Sequence, residues 1–492
     1  MTINDISPLS ETQPTKPLPK VKLLTMFRLG LFQMGLGIMS LLTLGILNRI
    51  MIDELTVLPW IAATAIAMYQ FVSPARVWFG QMSDTKPIKG YHRTGYVWMG
   101  AILFTTLSFV ALQIVWQLGN SIQATGWSWM SYGWAIFLGC IFGCYGLALS
   151  MSSTPFAALL VDVSDEDNRS QLIGIVWSML MVGIVVGAIV GSQLLNTPEI
   201  CGTEILSYDP TQTIKTVNIA SLQGTVNPVF IIMPAVVLGM CFLSTWGIES
   251  RYSRFSVRSQ TVQREDQIGL KDALSVLTAS RQTGLFFSFI LILTLSLFMQ
   301  DAVMEPYGGE VFGMCISETT KLNAFFGTGT LFGIASTGFF VIPRLGKQRT
   351  TKLGCIIAVA CFGLLVLAGV RSSQSLLKSG LLFFGLASGM ITAGATSLML
   401  DLTIAETAGT FIGAWGLAQA MARGISTVLG GTVLNFGKII FTVPVFSYGL
   451  VFFIQGIGML VAIWLLGRVN IKEFRDNAKS AISVVMEGDL DG

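Results

Sequence analysis

Histidine is nearly absent. One stands in 492 residues, His92, so neither a Ser/His/Asp hydrolytic set nor a histidine-rich metal site can be assembled. The seven cysteines include no CxxC pair, which removes the usual thiol-based zinc and redox motifs. No GxxxxGK[ST] phosphate loop occurs, so ATP hydrolysis has no visible seat and any transport would be secondary. Charge is scarce too: 12% of residues are Asp, Glu, Lys or Arg, against about 25% in an ordinary soluble domain. The first twenty residues lack the basic start, short apolar core and small-residue cleavage site of a secretory signal, and no cleaved signal is expected. These absences argue against an enzyme, and the reading assigns no catalytic and no metal-ligating residue.

What the chain has in abundance is apolar length. Hydrophobic residues make up 52% of it, and they gather into runs near 31–51, 57–80, 95–117, 132–157, 171–195 and 228–247, then 284–303, 322–343, 353–370, 379–400, 409–434 and 446–467. Each is close to the roughly 20 residues that span a bilayer. Between the sixth and seventh runs lies an interval with Arg251, Arg254, Arg258, Arg264, Lys271 and Arg281. Positive residues collect on alternate loops, while only Arg49, Lys215, Lys321, Arg371, Lys378 and Lys438 fall on the others; Arg76 and Arg423 read as helix-embedded. By the positive-inside rule both termini are cytoplasmic.

The halves also rhyme. Asp162, Gly174 and Trp177 are echoed by Asp401, Gly413 and Trp415. Six runs, a charged hinge and six more predict an all-α integral membrane protein of major facilitator architecture, about twelve transmembrane helices in two six-helix bundles. The expected divisions are a cytoplasmic tail at 1–24, a bundle at 25–247, a cytoplasmic central loop at 248–283, a bundle at 284–467 and a cytoplasmic tail at 468–492. Cys140, Cys144, Cys241, Cys355 and Cys361 lie in apolar runs, where a thiol acts as a small hydrophobe. Cys201 and Cys315 fall in loops on one side, which leaves a disulfide between them open.

Three stretches concentrate polar chemistry. Between the second and third runs, Gly80 and Asp84 are followed by Lys86, Lys89 and Arg93. A glycine there permits close helix approach, and the carboxylate can pair with an arginine or a helix N-terminus, so the block reads as a gate or latch. After the fourth run, Asp162 and Arg169 bracket an acidic turn that suits the same latch. The competing reading of both is a solvated turn that merely obeys the charge rule. At the outer end of the seventh run, Asp301 and Glu305 share a helical face, and Pro306, Gly308 and Gly309 are expected to break the helix beyond them. Asp301, Glu305, Glu310 and Arg423 are therefore the candidate ligand or coupling residues, with an ordinary exit loop as the alternative. Arg49, beside Asp53 and Glu54, is expected to snorkel to the interface.

Several long strings together resemble the PucC/LhaA family, associated with light-harvesting complexes and bacteriochlorophyll or chlorophyll. They are Phe27–Leu55, Arg76–Gly100, Thr154–Trp177 and Met299–Gly313, with a VNIKEF tail at Val469–Phe474. The first loop departs from the general facilitator pattern, since Thr85 stands where a basic residue usually follows the aspartate. The resemblance implies a membrane assembly factor for chlorophyll-binding light-harvesting or photosystem complexes, handling or delivering chlorophyll. It implies partners among the antenna or photosystem polypeptides and the chlorophyll-synthesis enzymes besides the lipid bilayer, with no nucleic acid, in a thylakoid or plasma membrane of a photosynthetic prokaryote. No tightly bound cofactor is expected. Any chlorophyll would be transient, because its magnesium takes oxygen or imidazole ligands and no histidine lies in an apolar run. A secondary transporter of a small solute and a pigment-free scaffold for antenna polypeptides remain as alternatives.

Overall fold

Lipid offers no hydrogen-bond partners, so each apolar run is driven to close its backbone bonds within a helix. The computed structural model describes residues 21–164, 166–197, 219–253, 281–402 and 408–469, and they form twelve helical passes. The first bundle comprises α1 (Leu23–Glu54), a broken α2 (Pro59–Phe71 and Ala75–Thr85), α3 (Thr94–Thr125), α4 (Trp129–Val163), α5 (Glu166–Leu194) and α6 (Ile219–Thr245). The second comprises α7 (Arg281–Phe298, then Met304–Phe312), α8 (Ile316–Leu345), α9 (Lys347–Val370), α10 (Gln374–Leu402), α11 (Ala408–Ile440) and α12 (Pro444–Arg468). Among the described residues ten of these qualify as membrane spans by length and hydropathy. The broken α2 and the partly described α11 complete the set.

The two breaks have separate causes. In α2, Pro74 has no N–H to donate and its ring crowds the carbonyl one turn back, so Val72–Pro74 form a turn and the helix restarts at Ala75. The sequence-based run at 57–80 hid this interruption. In α7 the interruption falls at Met299–Ala302, a 3-10 turn, and at Val303. The expected break at Pro306–Gly309 is thereby corrected: Met304–Phe312 is helical, with Pro306 in its first turn, where a missing N–H costs nothing. Gly313, at φ 64°, ends it in the left-handed conformation.

Each bundle has its own apolar core. One is built from α1–α6 side chains such as Phe32, Phe104, Trp116 and Phe230, the other from α7–α12 side chains such as Phe289, Tyr307, Phe384 and Phe452. Among the described residues only Ile316 and Ala63 cross into the core of the other half. Large apolar side chains on the outside, including Trp129, Phe339 and Ile439, are exposed as a lipid-facing surface requires. Glycines bring the helices together: Gly37 and Gly183 let α1 and α5 touch backbone to backbone, and Gly329 with Gly385 do the same for α8 and α10. The rhyme also appears in the backbone, since Asp162 and Asp401 are each the penultimate residue of α4 and α10. The side chains of Asp401, Gly413 and Trp415 lie outside the described residues.

The ends of the helices define two faces. On the termini face, Arg28 donates to the Leu243 carbonyl at 2.7 Å, and Gln348 to that of Leu466 at 2.6 Å. On the opposite face the halves meet: Asn48 donates to the Ala302 carbonyl (2.8 Å) and Ser317 to that of Ser192 (2.6 Å). These bonds tie α1 to α7 and α5 to α8, while α2 lies along α11. Cys315, at the start of α8, is disulfide-bonded; Cys201 lies outside the described residues.

Candidate functional site

Three polar clusters sit where an apolar protein has least reason to place them. The first lies on the termini face and is organised by Arg93, the residue before α3. Lys89 (φ 50°) and Gly90 (φ 83°) make the tight turn that closes the Ile88–Tyr91 bridge and delivers Arg93 to the helix start. Its guanidinium is buried; Nη2 pairs with Asp84 Oδ1 at 2.6 Å, Nε with Asp162 Oδ2 at 2.9 Å, and Nη1 donates to Ser83 Oγ at 2.5 Å. The residues come from the end of α2, the start of α3 and the end of α4, so one side chain stitches three helices. Arg169, expected to join them, has a side chain outside the described residues. Gly80 is not a close-approach glycine: a Cβ there would meet only Thr154 Cγ2, at an ordinary 3.6 Å.

Glu249 completes this cluster, and sequence reasoning missed it. It follows the left-handed Gly247 at the end of α6 and accepts the N–H groups of His92 (2.6 Å), Arg93 (3.1 Å) and Thr94 (2.7 Å). These are the open donors at the start of α3, where a carboxylate also meets the positive end of the helix dipole.

The second cluster lies at the seam on the opposite face. Arg49 is buried at 2% exposure, pairs with Asp53 and with Glu54 (3.4 Å), and donates to the Met314 carbonyl at 3.2 Å. The expectation that it snorkels is overturned: the carboxylates one turn away and the α8 approach give the guanidinium partners inside the protein. Glu305, 4% exposed, accepts from Asn323 of α8 and fills the space left by Gly45 of α1. Its Oε2 and the Asn48 Oδ1 are buried without a hydrogen-bond partner. Glu310 pairs with Lys438 of α11.

The third cluster lies at the break in α7, against α11 and α12. Asp301 accepts from Gln300 at 3.1 Å, and Gln300 in turn accepts from Gln455 at 3.0 Å. Arg423 stacks on the Phe298 ring at 3.7 Å, within electrostatic reach of Asp301, Tyr69 and Arg76. The break in α7 separates Asp301 from Glu305, so the two carboxylates meet different partners instead of sharing a helical face. Asn48, Asn323, Arg76 and Gln455 were not among the expected site residues. The available signal was a strongly polar side chain inside an apolar run.

Among the described residues no group of three or more His, Cys, Asp or Glu could hold a metal ion. The arrangement is thus one of charge pairs at helix ends and seams around two apolar bundles. An integral membrane protein of the major facilitator fold is what these features define, and solved structures agree. A bacterial homologue of the iron transporter ferroportin, inward-facing, aligns over 91% of this chain and 99% of its own with a TM-score of 0.62 at 13% identity. A D-xylose–proton symporter aligns over 92% and 98%, with a TM-score of 0.60 at 14% identity. The chain belongs to the PucC family, whose model, described as "PUCC protein", matches residues 46–474. Protein PucC of Rhodobacter capsulatus is 29% identical over 459 residues, covering 90% of this chain and 92% of the relative. A protein named bacteriochlorophyll synthase 44.5 kDa chain, from the same species, is 27% identical over 444 residues, covering 89% and 94%. Relatives named PucC occur in several photosynthetic bacteria, and this chain is a multi-pass membrane protein of that photosynthesis-associated group.

Proposed function

We propose that the chain is an assembly factor for chlorophyll-binding light-harvesting or photosystem complexes, handling chlorophyll transiently and catalysing no reaction. The observation that carries this reading is the 29% identity to PucC sustained across 90% of the chain. The residues are compatible with transient handling. The single histidine, His92, sits in the α2–α3 loop, so axial ligation of a chlorin magnesium inside the bilayer would fall to oxygen donors. Asn48 Oδ1 and Glu305 Oε2 are buried oxygens without hydrogen-bond partners, and parting of the seam would release them. Antenna or photosystem polypeptides and pigment-synthesising enzymes are the partners of this reading, with both termini in the cytoplasm of a photosynthetic prokaryote and the body in its thylakoid or plasma membrane. Deleting the chain from its host should lower antenna or photosystem accumulation while pigment synthesis continues. Unchanged accumulation of every chlorophyll-binding complex would overturn the proposal.

A second reading, secondary transport of a small solute, is favoured by one feature: Asp301 and Arg423 of the second half lie within electrostatic reach of each other, and Arg76 of the first half lies within reach of Arg423. Reconstituted vesicles would then show flux driven by a proton or sodium gradient. A pigment-free scaffold, the third reading, predicts that substitutions from Asp301 to Glu310 leave assembly intact.

A further inference from the structure

One crossing on the seam between the halves carries two buried acceptors that no donor satisfies. Gly45 and Asn48 stand three residues apart on α1, and Ala302 and Glu305 three apart on α7. The Asn48 Nδ2 donates to the Ala302 carbonyl at 2.8 Å, and the Glu305 carboxyl lies so close to Gly45 that a Cβ there would collide with it. Asn48 cannot turn its amide over, because Oδ1 would then face the Ala302 carbonyl oxygen. The amide of Asn323 from α8 already donates to Glu305 Oε1. Left over are Asn48 Oδ1 and Glu305 Oε2, both buried without a hydrogen-bond partner, on residues 1% and 4% exposed. Each is an acceptor, so what the crossing lacks is a hydrogen.

A protonated carboxyl supplies it, since an O–H on Oε2 turns one acceptor into a donor. Among the described residues Glu305 forms no ion pair. Arg49, the cation within its electrostatic reach, is engaged by Asp53, Glu54 and the Met314 carbonyl. On the elements packed around this part of α7, Glu310 pairs with Lys438 of α11, Asp301 accepts from Gln300, Glu318 of α8 accepts the Cys315 N–H, and Lys321 of α8 is exposed. Tyr307 donates to the Leu365 carbonyl, and Tyr448 of α12 packs on the Tyr307 ring. We propose that Glu305 is a proton-binding site between the halves, its neutral carboxyl holding α7 to α1 beside the Asn48–Ala302 bond, and that loss of the proton parts the seam. An ionised Glu305 leaves both oxygens buried without a hydrogen, a cost that separation of the halves removes. The α1 side has the backbone for such a movement: Leu41–Ile46, which carries Gly45, and Ile50–Glu54 are π-helical, a ladder found mostly as single turns at functional sites. Proton uptake favours the closed seam, so rising pH opens it. The site is independent of pigment handling, because it governs the seam whatever the protein carries.

The test combines pH-difference infrared spectroscopy of the full chain in lipid nanodiscs with hydrogen exchange read by mass spectrometry. Wild type should show a carboxylic-acid C=O band, above the amide bands, that fades as pH rises and is missing from E305Q. D301N, which alters the α7 carboxyl at the break, should keep that band. Exchange in residues 41–54 and in Met304–Phe312, taken relative to Lys347–Val370 of the same chain, should rise about tenfold over the same pH interval in wild type. In E305Q, whose side-chain amide cannot ionise, the ratio should stay flat. The internal reference cancels base-catalysed exchange and gives a wild-type reading that stands even if E305Q fails to fold. The inference is overturned by a wild-type ratio that does not follow pH, by the same pH response in E305Q, or by a titrating acid band of undiminished size in E305Q.

Discussion

Gly309 leaves the space in which Arg49 meets Asp53: a Cβ on that glycine would collide with both the guanidinium and the carboxylate. A residue of α7 in the second half thus determines whether a buried ion pair of α1 in the first half can exist. Gly309→Ala should cost about 1–3 kcal/mol through forced displacement of the pair. The measurement is thermal unfolding in detergent, with Gly239→Ala as the comparison, because nothing lies within 4 Å of a Cβ at Gly239. An unchanged melting temperature for Gly309→Ala would contradict the packing described here.

Arg93 is the centre of the termini-face cluster, and removing it takes a shared cation from two acids. Arg93→Ala leaves Asp84 and Asp162 without their described shared cation, at an expected cost of about 3–5 kcal/mol. Arg93→Lys should recover only part of this, since one ammonium cannot reproduce the separate Nε and Nη contacts to Asp162, Asp84 and Ser83. Accumulation in the membrane and resistance to heating would report the order wild type, Lys, Ala.

Glu249 offers a cleaner test, of one carboxylate set against three backbone amides. Glu249→Ala should lose about 1–2 kcal/mol by opening the donors at the start of α3, whereas Glu249→Gln keeps an acceptor oxygen and loses less. Hydrogen exchange at the His92, Arg93 and Thr94 amides would show it directly, with faster exchange in the Ala variant.

Glu305 is a buried carboxylate with one oxygen unpartnered, so its charge is a cost that the fold carries. Glu305→Gln should hold or raise thermal stability, while Glu305→Leu should lower it by stranding Asn323. Loss of antenna assembly in a Glu305→Gln variant of wild-type stability would assign the carboxylate a functional task.

The helical passes were legible because lipid leaves the backbone no other solution, so length and hydropathy almost suffice. The Asp84, Arg93 and Asp162 positions could be read as well, since charges beside apolar runs stand out. Glu249 could not, because its partners are more than 150 residues away in sequence and nothing local marks that meeting. Arg49 was misread for a related reason: a lone arginine at a helix end usually reaches water, and the room made by Gly309 is visible only once α7 is in place. In α7, helical spacing put Asp301 and Glu305 on one face, but the turn at Met299–Ala302 separates them. Pro306 misled in the same segment, since a proline that breaks a helix interior is harmless in a first turn.

The central claim is that this PucC-family chain handles chlorophyll while complexes are assembled. Its most direct test is an absorption spectrum of the affinity-purified protein in mild detergent, with mass spectrometry of whatever accompanies it. The account predicts a red chlorin band together with antenna, photosystem or pigment-synthesis polypeptides. A colourless protein without any of these partners would contradict it.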